Sequence, residues 1–128
     1  MKFDLQAVRG LVAGMQLVLL KSKIHRACVS IADVEYEGSI EIPSDLMEAV
    51  GLIDGERVLV TSASKGGRLE TYAQAGKPGT GTIIMNGGAA HVIKAGERIT
   101  IMAFALSKTP IVPLKVVCNE KNEILRKI

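Results

Sequence analysis

Gly55-Glu56-Arg57-Val58-Leu59-Val60 returns later in the chain as Gly96-Glu97-Arg98-Ile99-Thr100-Ile101. Each copy follows a short helix-like stretch, turns at its glycine and enters a run that reads as a strand. A helix–turn–strand unit occurring twice points to two similar halves folded together. Around the two copies lie further short runs rich in Val, Ile and Thr: Gln16–Leu20, Ala27–Ile31, Ser39–Ile42, Arg57–Thr61, Arg68–Gln74, Gly81–Met85, Arg98–Phe104, Leu114–Val117 and Glu123–Arg126. Their composition and length favour strand over helix. Ser44–Gly51 reads as a short helix capped by Ser44 and ended by Gly51, and Gly88–Lys94 as a second, capped by Asn86. Gly66-Gly67 marks a hairpin turn and Lys77-Pro78-Gly79 a break. So many short strands in so small a chain predict a mainly β fold closed into a small barrel, which also removes sheet edges.

The chain has 128 residues, enough for one domain with one core. Apolar residues make up 48%, against a disordered chain, while aromatics are only 3% and Trp is absent. The core therefore has to be aliphatic. Net charge is +3, but Lys and Arg are interleaved with Asp and Glu rather than clustered. Scattered charge and scarce aromatics argue against nucleic acid as a partner and leave room for a small anionic ligand. Cys28 and Cys118 stand far apart with no CxxC, and read as two reduced, buried thiols of a cytoplasmic protein. With only His25 and His91 besides, no metal-ligand set emerges.

Residues 1–14 carry mixed charge, two glycines and little periodicity, and read as a mobile lead to a domain over 15–128. The apolar run Leu11–Leu20 is too short to span a bilayer and lacks a cleavage signal, so no membrane partner is expected. Met15, where the first strand would begin, is a candidate start.

The chemistry-bearing residues cluster at Tyr36-Glu37-Gly38-Ser39-Ile40. A Gly-Ser pair usually marks an ordinary turn, but this one lies between extended apolar stretches. No G-x-S-x-G elbow is present, which disfavours a hydrolase nucleophile. A serine hydroxyl can instead attack the carbonyl before it, and a glycine there tolerates strained backbone. The ester so formed can eliminate to dehydroalanine and hydrolyse to a pyruvoyl ketone at position 39. Such a ketone forms a Schiff base with an amine and acts as an electron sink. Arg68 and Tyr72, four apart on a strand, face the same way and could bind a carboxylate and deliver a proton. Thr71 falls on the opposite face. Lys23 and His25 share a face of their own strand, which otherwise reads as a solvated strand edge. Asn86-Gly87-Gly88-Ala89-Ala90 lacks bulk and could let an anion approach backbone N–H groups; it matches no P-loop or dinucleotide pattern.

Lys23-Ile24-His25-Arg26, Ala32-Asp33-x-x-Tyr36-x-Gly38-Ser39, Arg68 with Thr71-Tyr72, Asn86-Gly87 and the ending Asn119-Glu120-Lys121-Asn122-Glu123-Ile124 together resemble the pyruvoyl-dependent aspartate 1-decarboxylase family. The resemblance runs from about Met15 to the C-terminus. It implies a small closed six-stranded double-psi β-barrel with short helices and flanking strands. It implies a cytoplasmic homotetramer with active sites between neighbouring subunits, and an enzyme converting L-aspartate to β-alanine and CO2 for pantothenate biosynthesis. It implies a precursor cleaved at Gly38–Ser39 into a β chain and an α chain, in some cases with a maturation helper. By the same resemblance, Ser39 would become the covalent pyruvoyl cofactor, without a metal, and Thr71 would assist cleavage by holding the Gly38 carbonyl. Lys23 and Arg68 would bind substrate carboxylates, Tyr72 would reprotonate the α-carbon, and Thr71, Gly87, Gly88 and Ala89 would contact substrate. Tyr36, Asn86 and His25 would support them. Gly88 departs from the family's usual Ala, Lys65-Gly66-Gly67 replaces its Asn-Gly turn, and Leu106–Val112 is shorter than its usual insertion. A competing reading is an uncleaved, non-catalytic barrel that binds a small anionic ligand or a protein partner.

Overall fold

The computed structural model describes residues 4–128. It is mainly β. Nine strands run in the order β2-β6-β3-β5-β4-β7-β1-β8-β9. In chain order they are β1 (Leu17–Cys28), β2 (Ile31–Asp33), β3 (Ser39–Pro43), β4 (Arg57–Ser62), β5 (Arg68–Gly76), β6 (Ile84–Asn86), β7 (Arg98–Ser107), β8 (Leu114–Cys118) and β9 (Ile124–Lys127). Three short helices interrupt them: α1 (Leu5–Val12), α2 (Ser44–Ala49) and α3 (Ala89–Val92).

The repeated hexapeptide sits at the centre of this order. β4 and β7 pair antiparallel with Val60 directly opposite Ile101. Those are the equivalent residues of the two copies, so a local two-fold axis passes between them. The flanking strands obey it. β5 is antiparallel to β4 as β1 is to β7, and the parallel pairs β3·β5 and β1·β8 follow outward on the two sides. The glycines opening the two copies are both left-handed, Gly55 at φ +86° and Gly96 at φ +90°. Both glutamates fold back onto the backbone N–H three residues earlier, Glu56 onto Ile53 at 3.1 Å and Glu97 onto Lys94 at 2.6 Å. They differ in setting. Glu56 pairs with Lys21 at 3.1 Å, whereas Glu97 is buried and accepts from the Ser62 hydroxyl at 2.6 Å. The Ser62 bond, reinforced by the Lys94 N–H, holds the Glu97 carboxyl below the usual glutamate range against the opposing effect of burial.

The core is aliphatic, as composition requires: Ile24, Ile40, Ile42, Val58, Val60, Ile83, Met85, Ile99 and Ile101 are essentially inaccessible. Each such side chain contributes roughly 1.5–3 kcal/mol on burial. The sheet has nine strands among the described residues, and no ladder joins its two ends into the expected closed six-stranded barrel.

Several local expectations change. The two strands expected at Gln16–Leu20 and Ala27–Ile31 are one long strand, β1, bent by irregularities at Leu20/Ser22 and Ile24/Ala27. Arg26 takes a positive φ there, and the Arg98 guanidinium holds its carbonyl. Ile31 begins a separate strand, β2, which the sequence reading missed. β1 lies between β7 and β8, so Lys23 and His25 are not at a sheet edge. Ser44 does not cap α2; it is the first helical residue after Pro43, whose fixed φ suits a helix entry. Asn86 does not cap α3, which starts after Gly88; its side chain turns to Ser39 instead. Leu5–Val12 is helical, capped by Asp4 on Gln6 and Ala7 and with no buried residue; residues 1–3 of the expected lead lie outside the described residues. Of the two free thiols, Cys118 is buried, which pushes it up to about 11, but Cys28 is only partly buried.

Candidate active site

Ser39 opens β3 and is wholly inaccessible. In the antiparallel β3·β6 ladder it stands opposite Asn86, so the two side chains share a face. The Ser39 hydroxyl donates to Gln74 Oε1 at 2.9 Å and accepts from Asn86 Nδ2 at 3.2 Å. The parallel β3·β5 register pairs Ile40 with Ala73 and Glu41 with Gln74. Continued back by one residue, to the start of β3, it brings Ser39 abreast of Tyr72. Alternation on β5 then puts Arg68, Tyr72 and Gln74 on the face of Ser39, with Leu69, Thr71 and Ala73 on the other.

The backbone beside the Gly38–Ser39 bond is crowded by Gly87. That residue has φ +66°, and a Cβ on it would fall 2.7 Å from Gly38 N, Gly38 Cα and the Tyr36 carbonyl oxygen. Only glycine can adopt this conformation at this distance. The Gly87 N–H donates to the Asp33 carbonyl at 2.7 Å, tying the turn to β2. Gly88, by contrast, is exposed and a Cβ there would meet nothing within 4 Å. Ala89 is buried and starts α3.

The structure thus brings Tyr36, Gly38, Ser39, Tyr72, Asn86, Gly87 and the adjoining Gly88 and Ala89 into one corner, while Thr71, next to Tyr72, lies on the opposite face of β5. It leaves others apart. Arg68 is exposed at the far end of β5, about 13 Å along the strand from Tyr72. Lys23 and His25 lie on β1, separated from β5 by β4 and β7. His25 Nδ1 is 3.4 Å from the Thr100 hydroxyl. Burial, then Lys23, Arg26, Arg126 and Arg98, push its imidazole below the usual histidine range. Gln74 is the participant the sequence reading missed. Its signal was faint: one amide between Ala73 and Ala75, on the alternation of Arg68 and Tyr72.

The family model for aspartate decarboxylase matches residues 15–125. This chain belongs to the aspartate decarboxylase family. It is 46% identical over 109 residues to the aspartate 1-decarboxylase of Thermotoga sp. (strain RQ2), covering 85% of this chain and 96% of that one. The enzyme of the same name from Pseudothermotoga lettingae is 44% identical over 109 residues, covering 84% and 95%. That from Myxococcus xanthus is 47% identical over 91 residues, covering 71% and 70%. The match begins after α1, so the helix lies outside the shared region. No helix among the described residues is long and apolar enough to cross a membrane.

Proposed function

We propose that this chain is made as an inactive precursor, cleaves itself between Gly38 and Ser39, and then converts L-aspartate to β-alanine and CO2 in the cytoplasm, supplying pantothenate biosynthesis. Family membership supports the reaction. The observation that carries the site is the burial of the Ser39 hydroxyl between Gln74 and Asn86, with Gly87 pressed against the bond to be cut. The residues present fit a pyruvoyl group at position 39, because that position is already enclosed and faced by two amide side chains. Once formed, the group supplies the electron sink for loss of CO2.

The chain's own residues do the rest. Thr71, next to Tyr72 on β5, holds the Gly38 carbonyl during cleavage, a role that rests on the family resemblance. Tyr72, abreast of residue 39 and 40% exposed, is placed to deliver a proton to the α-carbon after CO2 leaves. Arg68 and Lys23 bind the substrate carboxylates, and Gly87, Gly88 and Ala89 offer backbone contacts. Since β4 and β7 separate Lys23 from this corner within one chain, we assign Lys23 and His25 to the site of a neighbouring subunit of a homotetramer. The exposed Val18, Leu106 and Phe104 on β1 and β7, with half-buried Leu20 opposite Phe104, support burial of that surface between subunits.

Intact mass and activity together test this reading. Wild type is expected to give two chains and to release CO2 from L-aspartate. Ser39→Ala, lacking the nucleophile, is expected to stay one chain without activity. A wild-type chain that remains whole after prolonged warming, and inert towards aspartate, supports the uncleaved binding barrel instead.

A further inference from the structure

We infer that Gln74 sets the pace of maturation by locking Ser39 in a non-attacking resting state, an inference that rests on the self-cleavage reading above. A serine hydroxyl has one proton to donate and two lone pairs. At Ser39, Asn86 Nδ2 donates to one lone pair at 3.2 Å, so the hydroxyl proton is directed to Gln74 Oε1 at 2.9 Å. Ser39 is wholly inaccessible and Asn86 nearly so, while Gln74 is half-buried, its amide turned inward to the hydroxyl.

Cleavage begins as an acyl shift. A bond forms between Ser39 Oγ and the Gly38 carbonyl carbon, and the bond from that carbon to the Ser39 nitrogen breaks. The proton leaves Oγ and the departing nitrogen gains one, leaving an ester and a free amine with nothing added or lost. Oγ must therefore give up its proton as it attacks. A neutral amide oxygen is too weak a base to take it. The bond to Gln74 stabilises the alcohol and does nothing for the attacking oxygen, so it raises the barrier by the strength of the bond that has to be broken.

The setting of Gln74 agrees with this role. It lies between Ala73 and Ala75 near the end of β5, where an apolar side chain would satisfy the strand equally well. Glu41 is its register partner on β3, and among the described residues Ser39 is the one hydrogen-bond partner of its amide. Gln74 is thus a positioning residue for cleavage: it acts through the Ser39 hydroxyl.

The test follows full-length chains after a pulse of cell-free synthesis, with the cleaved fraction read by intact mass at successive times. Gln74→Met keeps the length of the side chain and removes the acceptor; it is expected to cleave roughly 2- to 10-fold faster than wild type, the factor that one net hydrogen bond supplies. Gln74→Glu keeps the shape and offers a basic acceptor, and is expected to be faster still at neutral pH. Acceleration separates this role from a merely structural one, since damage to packing around Ser39 slows cleavage. The thermal midpoint of each variant in a Ser39→Ala background establishes that it folds. A folded Gln74→Met chain that cleaves no faster than wild type overturns the inference; if that variant does not fold, a Gln74→Glu chain no faster than wild type does so. A wild-type chain that never cleaves overturns the self-cleavage reading, and this inference falls with it.

Discussion

Around Ser39 the polar atoms are paired and the backbone is crowded: its hydroxyl is held by Gln74 and Asn86, and Gly87 leaves no room for a Cβ beside Gly38. On the same face of β5, Arg68 and Tyr72 are exposed, and Lys23 lies on β1, beyond β4 and β7. On the proposed reading, the groups assigned to cutting the chain lie together within one subunit, while those assigned to holding substrate are spread over its surface. Such a cleavage is intramolecular and asks only for a well-set serine and carbonyl. Binding a dicarboxylate needs cations from several directions, which a small barrel supplies most readily by assembling with its neighbours.

The contrast can be broken most severely at Gly87. Gly87→Ala puts a methyl into the backbone of Tyr36 and Gly38 at a positive φ, and is expected to cost about 3 kcal/mol or more. Chemical unfolding in an uncleavable Ser39→Ala background measures this, and the same substitution on the wild-type chain is expected to block cleavage. A change within 0.5 kcal/mol would mean the corner is not tightly built. Next comes the exposed half. Tyr72→Phe is expected to cleave normally but turn over aspartate ~10²–10⁴-fold more slowly, because the proton donor is gone. Normal turnover by the cleaved variant would remove Tyr72 from that role.

Smaller is the effect at Glu97, which sharpens the comparison between the two repeated turns. Its carboxyl is depressed in the folded chain, so its stabilising contribution is present above the unfolded glutamate range and is lost as pH falls through the lower folded value. Glu97→Gln is expected to cost roughly 1–2 kcal/mol at pH 7 and to flatten that acid-side loss, as seen in unfolding midpoints taken between pH 7 and pH 3. Glu56→Gln, at the more open copy, is expected to cost less stability at pH 7; an equal cost would erase the difference between the copies. The smallest effect is at Gly88. Gly88→Ala meets open space at an ordinary helical φ and is expected to be neutral or stabilising by about 0.4–1 kcal/mol. A loss of stability there would show that the two neighbouring glycines are under the same constraint.

Much of this was legible in the chain itself. The repeated Gly-Glu-Arg turns announced two related halves, because a left-handed glycine and a glutamate reaching back three residues are local devices that need no distant partner. Alternation on β5 separated Thr71 from Arg68 and Tyr72, since the strand period depends only on the backbone. The aliphatic composition required an aliphatic core. Tertiary structure alone decided the rest. It merged two expected strands into β1, whose bulge at Arg26 is held by Arg98 from β7. It turned Asn86 away from α3 towards Ser39, because β6 is laid against β3. It brought Gln74 to the serine hydroxyl across 35 residues of sequence through the parallel register of β3 and β5. The division has one physical reason: turns, caps and alternation are written in neighbours along the chain, whereas the partners of a buried hydroxyl are set by which strands lie side by side.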